Sequence, residues 1–304
     1  MLRQILPARF ARSLDFLQVD KLNEIRLRVN CPSIIYYGGR YFLGENGVSN
    51  TSNDSLRATA QELNDIIFRA CECSIYAHNE ELKQGFVTLT NGVRIGICGE
   101  IVVDNGCIKT IKNFSSLNIR LPREVKNCSL NAVPYLHDEN GIFNSLVIAP
   151  PAGGKTTFIR DLSAQFSDKF IAKNLLIVDE RNEIGAVVNG KPTLYIGAYS
   201  DIYSGCSKEF GIVNGMRTMA PDVIVLDELA NKNDIDALLN VVGCGVKVIA
   251  TTHSRDLNEL HTKPFFREIL KMSVFERFVV LSCRKGAGTI ENIWDKNNTC
   301  LYCG

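Results

Sequence analysis

The sequence of 304 residues predicts an α/β protein with a largely parallel sheet in its second half and a smaller α+β domain before it. Short aliphatic runs after residue 140 are separated by helical stretches: SLVIA, NLLIVD, VIVLD and VKVIATT. Such runs are typical of parallel strands that are buried on both faces. Because 45% of the residues are hydrophobic, the chain can fill two cores, and we place the domains at residues 1–130 and 131–304.

The first half carries the signals of an antiparallel sheet and one clear helix. The runs EIRLRV and SIIYYGGRYFL suit strands, and GFVTLTNGVRIGICGE places Asn91 and Gly92 between two alternating runs, which predicts a hairpin with a type I′ turn. In TAQELNDIIFRAC, Thr59 and Glu62 have the spacing of a capping box at a helix N-terminus. The apolar residues of this helix share one face: Leu63, Ile66, Ile67 and Ala70.

Net charge and hydropathy argue against two classes of protein, those that bind nucleic acid and those that span a membrane. The formal net charge of +1 lacks the basic excess of a protein held by nucleic-acid phosphates, so we expect no specific nucleic-acid partner. No apolar run approaches the roughly 18 residues that a membrane span needs. Arg9 and Arg12 interrupt any signal-peptide core, and we therefore expect a cytoplasmic, unprocessed protein.

The 11 cysteines are spread over the whole chain. Without a secretory signal, we expect them to be reduced thiols. Cys300 and Cys303 form the one Cys-x-x-Cys pair, and a long-range zinc site that adds Cys71 and Cys73 stays open as an alternative.

A phosphate loop is predicted between the strand SLVIA and the helix that contains TTFIRDL, where residues 149–156 read A-P-P-A-G-G-K-T. Such a loop needs backbone N–H groups at a helix N-terminus, a lysine for the outer phosphates and a hydroxyl for magnesium. The pattern predicts a RecA-like P-loop NTPase domain that binds ATP and Mg²⁺, with an exposed Lys155 and with Thr156 as a metal ligand. The residues assigned to ATP binding are Pro150, Pro151, Ala152, Gly153, Gly154, Lys155, Thr156 and Thr157.

The loop opens with Ala149, where glycine is usual. Pro151 restricts Pro150 to extended dihedrals, and Pro150 does the same to Ala149. We therefore expect Ala149 to keep β dihedrals, and Gly153 and Gly154 to take the unusual angles. If Ala149 had a positive φ instead, the loop would be strained, and the alternative function would be a nucleotide-binding scaffold with little turnover.

Acidic residues follow two of the aliphatic strands. In VIVLDE, Asp227 is placed to hold magnesium and Glu228 to orient or deprotonate the attacking water. A second strand end, LLIVDERNEIG, offers Asp179, Glu180 and Glu183, for which a solvated strand end is the alternative. A third strand end places Thr252 and His253 where a γ-phosphate could be sensed.

Six blocks in order resemble the stage III sporulation protein AA family of endospore formers: EIRLRVNCPSII, GFVTLTNGVRIGICGE, LNIRLPREV, PPAGGKTTFIRDL, IVDERNEIG and GMRTMAPDVIVLDEL. That family is similar in turn to the traffic ATPases of type II and type IV secretion and of pilus retraction. The resemblance implies that the acids of DERNE match the Asp box, RTMAPDVIVLDE the Walker B region and TTHS the His box. Two positions depart from the secretion ATPases: Ala149 replaces the usual glycine, and Asp227 is kept where many have lost it.

The resemblance also implies a homo-oligomer, with a hexamer-like ring in which arginines of one subunit complete the site of the next. Arg120 and Arg123 are the candidates for this role, with Arg217 behind them, and surface or ion-pair arginines are the alternative. The implied function is an ATP-hydrolysing motor for a membrane channel between mother cell and forespore, whose membrane proteins are the partners. The implied location is the mother-cell cytoplasm, peripheral at the membrane through those partners. The catalytic candidates are Glu228, Glu180, Glu183, His253, Arg120 and Arg123.

Two alternatives concern the ligand. DELA has a loose similarity to helicase acid motifs, which leaves a nucleic-acid-dependent ATPase open. The segment NKND, residues 231–234, matches the guanine-reading motif of GTPases but follows Glu228 by only two residues. We interpret it as chance or as a helix N-cap at Asn233, and we predict ATP rather than GTP.

Overall fold

The structure is a computed structural model that describes residues 2–18, 21–71, 78–89, 92–104, 106–121, 125–286 and 288–304. The chain forms two compact units. The first comprises Met1–Arg123 with Val188–Thr193, and the second comprises Glu124–Val187 with Leu194–Gly304. That the chain divides at residue 130 into two domains stays a prediction.

The first unit contains four helices and a seven-stranded sheet among the described residues. The helices, with one 3₁₀ turn at Leu14–Phe16, are α1 (Leu2–Ile5), α2 (Ala8–Ser13), α3 (Ala60–Ala70) and α4 (Asn79–Lys83). The strands are β1 (Leu22–Arg28), β2 (Ile34–Tyr37), β3 (Arg40–Gly44), β4 (Gly47–Ser49), β5 (Phe86–Thr88), β6 (Arg94–Asp104) and β7 (Cys107–Arg120). They form one sheet in the order β4-β3-β2-β1-β7-β6-β5, in which every neighbouring pair is antiparallel.

The helix and the hairpin predicted for this unit are confirmed. At the start of α3, the Thr59 hydroxyl accepts the Glu62 N–H at 3.2 Å, and the Glu62 carboxylate accepts the Thr59 N–H at 2.8 Å. The predicted apolar face of α3 is buried in the core of the unit. Strands β5 and β6 pair with Val87 opposite Ile95. The predicted turn type rests on Asn91, which lies outside the described residues.

The second unit contains six helices and a larger set of strands in the part of the chain that the structure describes. The helices are α5 (Val133–Leu136), α6 (Lys155–Asp168), α7 (Lys208–Thr218), α8 (Lys232–Gly243), α9 (Leu257–Thr262) and α10 (Pro264–Lys271). Outside the large sheet, β8 (His137–Asp138) and β9 (Gly141–Ile142) form a short ribbon in this unit. A second ribbon, β12 (Val187–Val188) with β13 (Lys191–Pro192), lies mostly in residues 188–193, which belong to the first unit. The sheet itself contains β10 (Ser145–Ala149), β11 (Leu175–Asp179), β14 (Ser200–Ser204), β15 (Val223–Leu226), β16 (Lys247–His253), β17 (Arg277–Ser282), β18 (Thr289–Asp295) and β19 (Cys300–Cys303).

The large sheet is parallel over most of its width. Its order is β14-β11-β15-β16-β10-β17-β18-β19, and every pair from β14 to β17 is parallel, whereas β17, β18 and β19 pair antiparallel. Side chains alternate between two cores: Val147 of β10 packs with α6 on one face, and Leu146 and Ile148 pack with α7 to α10 on the other. The predicted α/β fold with a largely parallel, doubly covered sheet is therefore confirmed.

The segment NKND forms the start of α8. The Asn231 side chain accepts the Asp234 N–H at 3.1 Å, and the Asp234 carboxylate accepts the Asn231 N–H at 3.2 Å. The predicted N-cap is confirmed, but its assignment to Asn233 is wrong by two residues. Asn233 also has an acidic residue, Asp236, three positions later, but the helix starts two residues earlier, so the reciprocal hydrogen bonds of the capping box form between Asn231 and Asp234.

Two further expectations can be compared with the described residues. None of the helices in the described ranges has the length and apolar composition needed to cross a membrane. Among the same residues, no group of three or more His, Cys, Asp or Glu side chains is suited to hold a metal ion. Cys71 is buried in the core of the first unit, Cys300 and Cys303 lie on β19, and Cys73 is outside the described residues.

Candidate nucleotide-binding site

The loop between β10 and α6 turns sharply before the helix. Gly153 donates its N–H to the Pro150 carbonyl at 3.0 Å. Within this turn Ala152 has a φ of 60°, and Gly154, the N-cap of α6, has a φ of 85°. Proline at the second position and a positive φ at the third are features of a type II turn. The loop therefore brings the chain back to start α6 beneath the end of β10.

Ala149 is the last residue of β10 and is fully buried, so the extended backbone expected for it is confirmed. The expectation for Gly153 is wrong, because the second unusual angle belongs to Ala152. Gly153 is needed for space instead. A Cβ at this position would lie 2.6 Å from the Ala149 Cβ and 2.8 Å from the Pro150 carbonyl oxygen.

Lys155 begins α6 and was expected to be exposed, but it is only 8% exposed. Its ammonium lies 3.4 Å from the carbonyl oxygens of Ala149 and Pro150 and 2.7 Å from His253 Nδ1. It is buried because α6 starts directly under the end of β10, where β16 runs alongside and pairs Ala149 with His253. Burial lowers the pKa of Lys155 to about 8, although the charge of Glu228 opposes this shift.

His253 connects the lysine to the acidic side of the site. Because the Lys155 ammonium can only donate, Nδ1 of His253 is the acceptor, and its proton belongs on Nε2. That nitrogen lies 3.4 Å from Glu228 Oε2. Burial and then the charge of Lys155 lower the pKa of His253, which keeps the ring neutral.

Asp227 and Glu228 follow β15. The Glu228 N–H donates to Asp227 Oδ1 at 2.6 Å, whereas Asp227 Oδ2 is buried and has no hydrogen-bond partner within the described ranges. Glu228 Oε2 lies 3.1 Å from Arg181 Nη1. The hydroxyl of Thr251 donates to the Asp227 carbonyl and fixes the backbone at this point.

The second acidic strand end is built differently. Asp179 is fully buried and accepts the backbone N–H groups of Glu183, Ile184 and Gly185, each at 2.9 Å. Burial raises the pKa of Asp179 despite these hydrogen bonds. Arg160 supports the same turn by donating to the carbonyls of Glu183 and Ile184. Asp179 therefore shapes the loop that carries Glu183.

A buried lysine lies behind the two acidic strand ends. Lys208, the first residue of α7, is 5% exposed. Its ammonium forms an ion pair with Glu180, lies 3.1 Å from Asp227 Oδ1 and lies 3.7 Å from Asp234 Oδ1. Burial lowers its pKa, but the hydrogen bond to Glu180 and the charges of Asp227 and Asp234 outweigh burial and raise the pKa overall.

These side chains surround a pocket of about 340 Å³ at the carboxyl ends of the parallel strands, the place where open α/β sheets bind ligands. The predicted residues that line it are Ala152, Gly153, Gly154, Lys155, Thr156, Thr157, Glu183, Asp227, Glu228 and His253. Arg181 and Thr251 also line the pocket and were missed. Arg181 lies within DERNE, so its position beside two acids was the available signal, whereas an isolated Lys208 gave none.

Other predicted residues lie outside the lining of this pocket. Pro150 contributes its carbonyl to the loop, and Pro151 is exposed. Glu180 points to Lys208. The placement of Thr252 beside a phosphate is wrong, because its side chain faces away from that of Thr251 and donates to the Leu229 carbonyl at 3.2 Å.

None of the described arginines that were predicted to act between subunits belongs to the lining of this pocket. Arg120 ends β7 in the first unit and lies 3.6 Å from the carboxylate of Glu24. Arg217 is exposed in the last turn of α7. Arg123 is outside the described residues. The role of these arginines in a neighbouring site stays a prediction.

The fold defines the class of protein. The X-ray structure of the Legionella pneumophila ATPase DotB is similar with a TM-score of 0.58 and 15% identity, over 90% of this chain and 76% of that chain. The crystal structure of the pilus retraction motor PilT with bound ADP is similar with a TM-score of 0.55 and 14% identity, over 85% of this chain and 74% of that chain. The chain has the α/β fold of these secretion and pilus ATPases.

Sequence comparison identifies the family. Residues 1–301 match the family described as Sporulation stage III, protein AA. Stage III sporulation protein AA of Bacillus subtilis (strain 168) is 33% identical over 307 residues, which cover 98% of this chain and 95% of that protein. The chain belongs to the Sporulation stage III, protein AA family, and the resemblance carried by the six sequence blocks is confirmed.

Proposed function

We propose that the chain binds ATP with Mg²⁺ in this pocket and hydrolyses it. The observation that carries the proposal is that phosphate-loop residues 152–157 and the carboxylates Asp227 and Glu228 line one pocket of about 340 Å³. A loop that leads into a helix N-terminus suits an anion, because backbone N–H groups and the helix dipole favour negative charge. Carboxylates opposite that anion can hold a metal ion and a water molecule, as phosphoryl transfer to water requires.

Lys155 is the residue that binds the outer phosphates. Its ammonium donates to His253 Nδ1 and to the two carbonyls at the start of the loop. Phosphate oxygens are charged acceptors and form stronger hydrogen bonds than these neutral groups. Binding therefore exchanges neutral acceptors for charged ones and frees Nδ1 of His253 from its hydrogen bond with the Lys155 ammonium.

Thr156 and Asp227 are suited to be the ligands of Mg²⁺. Asp227 Oδ2 is buried without a hydrogen-bond partner in the described part of the chain, and both residues line the pocket. Hydroxyl and carboxylate oxygens are the hard ligands that Mg²⁺ prefers. When bound, the ion neutralises charge on the phosphates.

Glu228 is the general base in this proposal. Its Oε2 lies 3.1 Å from Arg181 Nη1 and 3.4 Å from His253 Nε2, so a cation and a neutral donor hold the carboxylate in one orientation. A carboxylate fixed in this way can orient a water and accept its proton. Glu183, on the turn shaped by Asp179, is the second acid near the phosphates, and Glu180 acts on the site through Lys208.

The biological role that we propose is the motor subunit of a membrane complex formed during sporulation between mother cell and forespore. Family membership supports the sporulation context, and the fold shared with the ATPase DotB and the pilus retraction motor PilT supports a motor. The protein then acts as a homo-oligomeric, hexamer-like ring in the mother-cell cytoplasm, bound to the membrane through the membrane proteins of the complex. Arg120 or Arg123 of one subunit reaches the site of the next.

Binding and turnover of ATP test this proposal directly. We expect the purified protein to bind a fluorescent ATP analogue and to release phosphate only with Mg²⁺, and Lys155→Ala to lose binding while staying folded. Lys169→Ala is the matched control, because Lys169 lies at the other end of α6 and is exposed. Retained affinity in a folded Lys155→Ala protein would contradict the proposed site.

The same assay separates the alternatives. Phosphate release that requires added DNA or RNA would identify a nucleic-acid-dependent ATPase. Tight binding without phosphate release, with and without the membrane partners, would identify a nucleotide-binding scaffold. Preference for GTP over ATP would contradict the prediction that ATP is the ligand.

A further inference from the structure

Helix α7 is packed unusually close to β11, and this packing brings Lys208 to the site. A Cβ on Gly211 would lie 2.5 Å from Val178 Cγ1, and a Cβ on Gly215 would lie 2.2 Å from Leu176 Cδ2. Only glycine allows the helix backbone to approach the strand at these two positions. The first turn of α7 therefore lies at the carboxyl end of β11, where the Lys208 side chain reaches Asp227 of the neighbouring strand.

The position of Lys208 is unfavourable for a cation by itself. It is the first residue of a helix, where the helix dipole opposes positive charge, and it is 5% exposed. What holds the ammonium there is a set of three carboxylates from three separate elements: Glu180 after β11, Asp227 after β15 and Asp234 in α8. A buried lysine with three partners fixes those partners relative to one another.

The contact with Asp227 is made on one oxygen only. Oδ1 lies 3.1 Å from the Lys208 ammonium and accepts the Glu228 N–H at 2.6 Å. Oδ2 is buried and has no hydrogen-bond partner among the residues that the structure describes. Asp227 lines the pocket, whereas Lys208 lies outside the lining, so the lysine contacts the carboxylate from behind.

We propose that Lys208 is the positioning residue of Asp227 and holds its carboxylate so that Oδ2 is presented to the metal of the bound nucleotide. This inference rests on the proposed function. Two donors on Oδ1 prevent rotation of the carboxylate, and the ammonium offsets the repulsion among three carboxylates that would otherwise turn Asp227 out of place. Lys208 acts through Asp227 and does not contact the nucleotide.

Metal affinity measured apart from turnover tests the inference. Mn²⁺ binding to the full chain is followed by electron paramagnetic resonance with a non-hydrolysable ATP analogue, and affinity for the same analogue is measured in EDTA. For Lys208→Gln we expect Mn²⁺ affinity to fall at least tenfold and analogue affinity in EDTA to stay within twofold of wild type. Lys208→Arg restores Mn²⁺ affinity to within threefold, because it keeps the charge.

A double-mutant comparison separates positioning from a general effect. Asp227→Asn is expected to lose Mn²⁺ affinity, and adding Lys208→Gln to it is expected to cause no further loss. Lys247→Gln is the matched control, since Lys247 also forms an ion pair, at 3.1 Å from Glu276, but at the start of β16. It should bind Mn²⁺ as wild type does.

The outcomes are distinct. Unchanged Mn²⁺ affinity in Lys208→Gln, or a further loss when it is added to Asp227→Asn, overturns the positioning role while the proposed function stands. A wild-type protein that does not bind the analogue even in EDTA overturns the proposed function, and this inference with it. If Lys208→Gln does not fold, a Glu180→Gln, Asp234→Asn protein becomes the reference, because in it Asp227 is the one carboxylate left beside Lys208. Lys208→Gln is then added to this reference, and the same criteria apply.

Discussion

The phosphate loop and the acidic strand ends face the same pocket but hold their side chains in different ways. On the loop side, Gly154 is the N-cap of α6 and Lys155 is the first residue of this helix, so neighbours in the sequence set the positions. On the acidic side, Asp179 ends one buried strand and Asp227 follows another, yet Asp179 accepts three backbone N–H groups, whereas one oxygen of Asp227 has no hydrogen-bond partner among the described residues. Similar strand ends therefore carry different chemistry when distant segments contact them.

The largest effect is expected on the acidic side. Glu228→Gln should lower kcat at least about 100-fold, because the amide keeps the shape of the carboxylate but cannot accept the proton of water. The affinity for ATP should change less than threefold. The measurement is phosphate release at saturating ATP, with Glu183→Gln as the matched variant. A larger loss in Glu183→Gln than in Glu228→Gln would move the base to the end of β11.

Asp179→Asn should affect folding rather than chemistry. Its three hydrogen bonds shape the turn at residues 183–185, and losing part of this buried set should lower the free energy of unfolding by about 1–3 kcal/mol. Urea unfolding followed by the fluorescence of Trp294, the single tryptophan, measures this for the second unit. Asp168→Asn is the control, since the exposed Asp168 accepts the Ala198 N–H and the Tyr195 hydroxyl near the surface. Unchanged stability would contradict the role given to these three hydrogen bonds in holding the turn.

The pH dependence of ATP binding sharpens the description of the loop side. Burial lowers the pKa of Lys155 to about 8, and only the ammonium pairs with phosphate. ATP affinity should therefore be constant below that pH and weaken by up to about tenfold per pH unit above it. In the nucleotide-free protein the sign is opposite, because the folded state gives up this proton more readily than the unfolded chain and gains stability as pH rises from about 8. An affinity that stays constant to pH 9.5 would contradict the burial of Lys155.

Ala152→Gly tests strain in the loop. An L-residue at the φ of 60° found here costs about 1–2 kcal/mol, and glycine relieves this cost but gives up about 0.5–1 kcal/mol to the unfolded chain. The free energy of unfolding should rise by up to about 1 kcal/mol. Thermal unfolding without nucleotide measures the change, and a lower melting temperature would show that Ala152 is not strained.

The smallest effect is expected at Ala149. Because this residue is extended and its methyl group is buried beside Gly153, Ala149→Gly should change ATP affinity less than threefold, which is under ~1 kcal/mol. Titration with a fluorescent ATP analogue measures it, with Ala152→Gly for comparison. A tenfold tightening would revive the scaffold with little turnover.

The helices, the strands and most of the pocket could be predicted from the sequence, because the signals for them are local. Aliphatic runs predicted the strands of the parallel sheet, the spacing of Thr59 and Glu62 predicted the cap of α3, and the two prolines after Ala149 predicted its extended backbone. Residues that follow a parallel strand also meet at one edge of the sheet, so Asp227, Glu228 and His253 could be placed together.

The contacts of each acidic and each basic side chain could not be predicted from the sequence, because they depend on segments that are distant in the chain. Lys208 is 28 residues from Glu180, and no spacing rule connects them; close packing of α7 on β11 brings them together. The turn at residues 183–185 uses Asp179, while Lys208 contacts only one oxygen of Asp227. Lys155 is buried because β16 runs beside β10 and places His253 next to it. Burial and charge pairing depend on distant segments, whereas propensity and capping depend on neighbours in the chain.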